Sequence, residues 1–174
     1  MFRDNRRGLF WAACCGCLIT VTALIALPGA SSGDSVIGYC SVPAEAFLPT
    51  GPSSYGSPAC GGRYGEVGSI ANLAASVQLP HGARITKFTA YCYDDSPSDL
   101  YFVLYANILG SCGYVNLAEA RSSGMPEYDS VEVTVTSGIV DNSQYGYLII
   151  ATPTTSGTWD SELKVKGAVI EYEL

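Results

Sequence analysis

From residue 72 to the end of the chain, short runs of β-branched and aromatic residues alternate with clusters of Gly, Pro, Asn, Asp and Ser. The runs occupy 73–79, 85–93, 101–108, 114–121, 130–136, 145–152 and 163–172, and the turn clusters recur about every 8–12 residues. Val131, Val133 and Val135 alternate with Glu132, Thr134 and Thr136, the two-residue period of a strand with one buried face. Residues 147–151 are continuously apolar, which predicts a central strand covered on both faces. Beyond the N-terminal segment no stretch keeps a helical period, and there is no internal repeat. With further apolar stretches at 36–42 and 44–48, the pattern predicts an all-β chain. Its expected form is an antiparallel β-sandwich, jelly-roll-like, of about eight strands.

The run pair around 94–100 makes the sharpest local prediction. If it is a hairpin with Tyr93 opposite Tyr101, then Phe88, Ala90 and Cys92 face inward together with Phe102, Leu104 and Ala106. Tyr91, Tyr93, Tyr101 and Tyr105 then gather with Val103 on the outer face. A tyrosine offers an apolar ring and a polar tip, so such a patch stacks on a sugar, packs under a covering loop, or meets a second copy.

The chain divides into three stretches. Residues 72–174 form the expected sandwich core, and 31–71 are rich in Gly, Ser and Pro, with a long surface loop at 49–62. Together 31–174 read as one domain. Residues 1–30 are a hydrophobic leader helix: Arg3, Arg6 and Arg7 precede an uncharged run from Leu9 to Leu27, followed by the small or helix-breaking residues Pro28, Gly29, Ala30 and Ser31. Two readings stay open, a signal peptide cut after Ala30 and an uncleaved membrane anchor, since the run reaches the ~17–25 residues that span a bilayer. Lipidation at Cys14, Cys15 or Cys17 is a third, though it leaves almost no apolar run ahead of the modified residue. All three export the domain to an extracellular, periplasmic or cell-surface location, touching the membrane only through this segment.

Charge narrows the partners. Beyond residue 30 six basic residues stand against fifteen acidic ones, a formal net of −9. A polyanion is repelled by such a surface, which excludes nucleic acid. Four cysteines remain after the leader: Cys40, Cys60, Cys92 and Cys112. An even number in an exported chain predicts two disulfides, with three possible connectivities. If the runs 85–93, 101–108 and 114–121 form a meander, Cys92 and Cys112 lie near opposite ends of its middle strand, which favours pairing each with the N-terminal region. No Cys-x-x-Cys spacing supports zinc.

Asp94, Asp95 and Asp99 offer hard oxygen ligands that suit calcium, but Asp, Ser and Pro in this order also build a turn, and the turn is the preferred reading. His81, the single histidine, sits between Pro80 and Gly82 in a tight turn. No Gly-x-Ser-x-Gly elbow accompanies it, and oxidised cysteines leave it no thiol partner. The residues therefore predict no catalytic activity and no cofactor.

Several segments resemble a group of uncharacterised exported bacterial β-sandwich proteins. They are Leu79-Pro80-His81-Gly82-Ala83-Arg84-Ile85-Thr86, Tyr91-Cys92-Tyr93-Asp94, Ser122-Ser123-Gly124, Val140-Asp141-Asn142-Ser143-Gln144-Tyr145 and Val169-Ile170-Glu171-Tyr172, with Pro43-Ala44-Glu45-Ala46-Phe47-Leu48-Pro49 nearer the N-terminus. The resemblance implies bacterial origin, export and a sandwich fold, and it implies no activity. The functional expectation is a secreted or surface-tethered, non-catalytic module with a structural, adhesive or self-assembling role. The alternative is a carbohydrate-binding module that uses Tyr91, Tyr93, Tyr101 and Tyr105 on a surface glycan.

Overall fold

From residue 72 onward the strands lie within two residues of the alternating runs, while the short strands Tyr55–Gly56 and Tyr64–Gly65 were not foreseen. The computed structural model describes residues 35–51, 55–56, 62–69, 71–124, 128–154 and 158–174. Its strands are β1 (Ile37–Pro43), β2 (Leu48–Pro49), β3 (Tyr55–Gly56), β4 (Tyr64–Gly65), β5 (Leu73–Val77), β6 (Arg84–Asp94), β7 (Leu100–Ile108), β8 (Tyr114–Arg121), β9 (Tyr128–Thr134), β10 (Tyr145–Pro153) and β11 (Leu163–Glu173). One turn of 3-10 helix, Ala44–Ala46, follows β1. A four-stranded sheet runs in the order β1-β11-β6-β9 and a five-stranded sheet in the order β2-β5-β10-β7-β8, while β3 and β4 form a small ribbon. All these pairings are antiparallel. The expected antiparallel sandwich is therefore the fold, and residues 34–174 make one compact unit. The leader lies outside the described residues.

Period-two alternation fills the space between the sheets. Phe88, Ala90 and Cys92 of β6 point inward with Val165 and Ile170 of β11, and they join one core with Phe102 and Leu104 of β7 and Ile149 of β10. At ~25 cal/mol per Å2 of apolar surface removed from water, this two-faced burial is the main stabilising term. Two glycines are set by close approach. A Cβ on Gly65 would clash with the ring of Trp159, the largest fully buried side chain among the described residues, whose indole N–H donates to the Ala71 carbonyl at 2.7 Å. Gly167, at φ 137°, sits at a register shift in β11, and a Cβ there would meet the Val42 carbonyl oxygen at 2.7 Å.

The hairpin expected around 94–100 does not form. β6 pairs with β11 and β9, whereas β7 pairs with β10 and β8, so the chain crosses from one sheet to the other between them. Five residues, 95–99, separate the two strands, more than the two of a tight hairpin turn, and that length lets the chain arch over the core edge. The arch is held from inside by Asp94, which is fully buried. Its carboxylate accepts the Ser96 N–H at 3.2 Å, the Gly124 N–H at 3.2 Å and the Ser122 hydroxyl. Ser122 Oγ in turn accepts the Leu100 N–H at 2.7 Å. Residues 122–124 follow β8, where the chain crosses back, so one carboxylate ties both crossings together.

Neither expected disulfide is found among the described residues. Cys40, Cys92 and Cys112 are free thiols, and Cys60 lies outside the described residues. Two bridges would require at least one bond among the first three. Cys40 is registered with Ile170 and Cys92 with Val165, on opposite sides of β11. Two strand spacings put them roughly 10 Å apart across the sheet, with a further offset along it, beyond the ~7 Å limit for a bridge. Cys112 lies past the far end of β7 from the corner that Cys92 adjoins, about 30 Å of strand away. Burial, with Asp129 and Asp94 close by, pushes the Cys92 thiol up to about 12.

Removing the corner carboxylate (Asp94→Ala) orphans the Ser122 hydroxyl and two backbone donors, and is expected to cost about 2–3 kcal/mol of stability in urea denaturation. A cost within the scatter of a neutral surface change refutes this role for the corner. Iodoacetamide at pH 8, read by tandem mass spectrometry, is expected to label exposed Cys112 in the folded protein and to label Cys92 only after denaturant is added. Equal labelling rates contradict the placement of Cys92.

Candidate functional site

Because β6 and β7 belong to different sheets, the four candidate tyrosines divide between opposite faces of the sandwich. Tyr91 and Tyr93 lie on the outer face of the four-stranded sheet, alternating with inward Ala90, Cys92 and Asp94. Tyr101 and Tyr105 lie on the outer face of the five-stranded sheet, alternating with inward Leu100, Phe102, Leu104 and Ala106. The single four-tyrosine patch is not present.

The outer face of the five-stranded sheet is the richer surface. Registered rows place Thr152, Tyr101 and Arg121 side by side, then Ala74, Ile150, Val103 and Glu119, then Ser76, Leu148, Tyr105 and Asn116. Tyr114, opposite Asn107, extends the face, and its ring meets Tyr105 edge-on at 4.9 Å and 78°. The Tyr101 phenol donates to the Glu119 carboxylate, and with burial this pushes it up to about 12. Asn116 Nδ2 also donates to Glu119, so that carboxylate orients two neighbours on the face. Arg121 donates from Nε at 2.8 Å and from Nη2 at 2.7 Å to Asp99 Oδ2.

The apolar run of β10 behaves differently from its expectation. β10 is central, between β5 and β7, and its inward residues Tyr147, Ile149 and Ala151 are buried. Its outward residues Leu148 and Ile150 are only half-buried and line open depressions. One depression of about 530 Å3 involves Ser76, Gln78, Asn107, Gly146 and Leu148. Another of about 220 Å3 lies among Tyr105, Asn107, Tyr114, Leu148 and Ile150, and one of about 380 Å3 among Tyr101, Arg121, Thr152 and Thr154. Asn107 and Leu148 belong to both of the first two. The third lies separately, further along β10 and β7, and the three are spread over roughly 25 Å at ~3.3 Å per residue. Such a surface offers apolar ring faces along its floor and amide, hydroxyl, carboxylate and guanidinium groups along its rim.

The acidic turn builds the corner. Asp94 faces the core, Asp95 receives the Tyr93 phenol and Asp99 holds Arg121, so the three carboxylates point to different partners. No three His, Cys, Asp or Glu side chains gather as a metal site among the described residues. His81 closes a turn: its Nδ1 accepts the Asn142 N–H at 3.1 Å beside Asp141, and Gly82 at φ 82° completes the bend.

Tyr114 was missed from the sequence because laying 101–108 flush against 114–121 puts it opposite Ile108; the register shift at Leu104/Tyr105 moves it opposite Asn107, onto the face of Tyr101 and Tyr105. Tyr128, Lys164 and Lys166 cluster with Tyr91 and Tyr93 on the other face through the neighbours β9 and β11, which local pattern does not specify.

No family model matches the chain, and no curated protein matches it. Among solved structures, the C-terminal family 6 carbohydrate-binding module of LamC from Zobellia galactanivorans is similar at 12% identity, over 76% of this chain and 98% of that one, with a TM-score of 0.50. The CBM22-2 xylan-binding domain of Xyn10C from Paenibacillus barcinonensis aligns at 10% identity over 77% and 96% of the two chains, TM-score 0.49. A family 29 carbohydrate-binding module from Piromyces equi aligns at 9% identity over 78% and 90%, TM-score 0.48. At such identities the likeness, carried by the first of these, is one of fold: this chain shares the β-sandwich of that module.

Proposed function

We propose that the domain is an exported, non-catalytic glycan-binding module whose site is the outer face of the five-stranded sheet. The observation that carries this reading is the open, indented face on which Tyr101, Tyr105 and Tyr114 stand with half-buried Leu148 and Ile150. A pyranose presents C–H groups on its faces and hydroxyls around its edge. Tyrosine rings and aliphatic side chains match the faces, while Asn107, Asn116, Glu119 and Arg121 supply donors and acceptors for the edge. The similar sandwich from LamC is a carbohydrate-binding module, which agrees with this ligand class.

Self-assembly, the role that the sequence pattern favoured first, now has less support. It drew on a four-tyrosine patch that the fold divides, and a chain of formal net charge −7 repels its own copies.

Affinity electrophoresis in gels containing laminarin, xylan or mixed-linkage β-glucan, backed by a glycan array, tests the reading. At least one glycan is expected to retard the protein. Tyr105→Ala is expected to weaken that binding about tenfold with little change in melting temperature, since an aromatic contact contributes about 0.5–1.5 kcal/mol. Unretarded migration in every gel together with a blank array sinks the proposal.

A further inference from the structure

We propose that the opposite face, the outer side of the four-stranded sheet, is a second saccharide platform, so that one chain bridges two glycan strands. The ligand class rests on the reading above, but the platform is built from different residues. Tyr91 and Tyr93 of β6 lie beside Ser130 and Tyr128 of β9, and the rings of Tyr93 and Tyr128 are 5.4 Å apart at 54°. Two of the chain's nine cationic side chains sit on these rings: Lys164 Nζ is 4.3 Å from the Tyr93 centroid and Lys166 Nζ 5.0 Å from that of Tyr128.

An ammonium over one face of a ring fixes the ring's orientation and reduces the rotamer freedom that binding must remove. Tyr128 still remains 66% exposed and Tyr91 41%, so ring surface is open to a ligand. Between them a depression of about 390 Å3 is lined by Tyr91, Tyr128, Ser130, Asp129 and Lys166. Its polar wall mixes a donor, an acceptor and a hydroxyl. The two lysines stand among Asp129, Asp95, which receives the Tyr93 phenol, and the Glu162 carboxylate, which lies 3.6 Å from Lys164 Nζ. An aromatic patch of mixed charge on an acidic chain matches an uncharged, hydroxyl-rich ligand better than a polyanion or an acidic copy of the chain. The two platforms face away from each other across the core, so a single glycan strand does not reach both.

Isothermal calorimetry of the full chain with cellohexaose, xylohexaose and laminarihexaose, alongside light scattering with the parent polysaccharides, tests this. Two oligosaccharides per chain are expected, falling to one in Tyr128→Ala and to one in Tyr105→Ala. Scattering from cross-linked polysaccharide is expected with the native chain and is lost in either variant. Tyr91→Ala serves as a second probe of the same platform, with about tenfold weaker binding there. One oligosaccharide per chain, lost in Tyr105→Ala and untouched in Tyr128→Ala and Tyr91→Ala, overturns the second platform and leaves the first intact. No binding by any form removes both. A dimer in sedimentation that Tyr128→Ala dissolves also overturns it, marking the face as an interface between copies.

Discussion

The carboxylate of Asp94 holds the corner on which the arrangement of the two faces depends. It is fully buried where β6 ends, and it binds the Ser96 and Gly124 amides and the Ser122 hydroxyl. Those partners belong to the two places where the chain passes between sheets, after β6 and after β8. A buried carboxylate left without donors is costly, so the corner forms with these donors in place. Once β6 and β7 part at that corner, every outward residue of β6 lies on one side of the molecule and every outward residue of β7 on the other.

That division turns one supposed patch into two surfaces of different character. On the five-stranded sheet the floor is aliphatic and aromatic, and Glu119 orients Tyr101 and Asn116 along it. On the four-stranded sheet two of the rings, Tyr93 and Tyr128, each carry a lysine. Elsewhere on that second face Lys87 pairs with Glu132 at 3.2 Å and lies 3.9 Å from Glu171, giving it a charged half and an aromatic half. Exposed pairs of this kind contribute little to stability, so their effect is on what the face attracts.

The cysteines follow the same logic of position. Cys92 behaves as a small apolar core residue beside Ala90 and Phe88, with a thiol too high in pKa to react at neutral pH. The inner faces hold together without bridges among Cys40, Cys92 and Cys112, because a chain of this length buries a sizeable core.

Local sequence determined where the strands lie and which side of each is wet. The alternation at 131–135, the turn at Pro80-His81-Gly82 and the extents of β6, β7, β8, β10 and β11 were all legible, because strand geometry has a period of two and turn residues act through their own backbone. What remained hidden was adjacency. The pattern of 85–93 and 101–108 is the same whether the strands pair with each other or cross to different sheets, and only the long-range partners β11, β9, β10 and β8 decide it. The apolar run of β10 likewise showed a central strand, but not that its outer side would line open depressions. Burial on the second face depends on what packs over it, and that is a property of the folded chain alone.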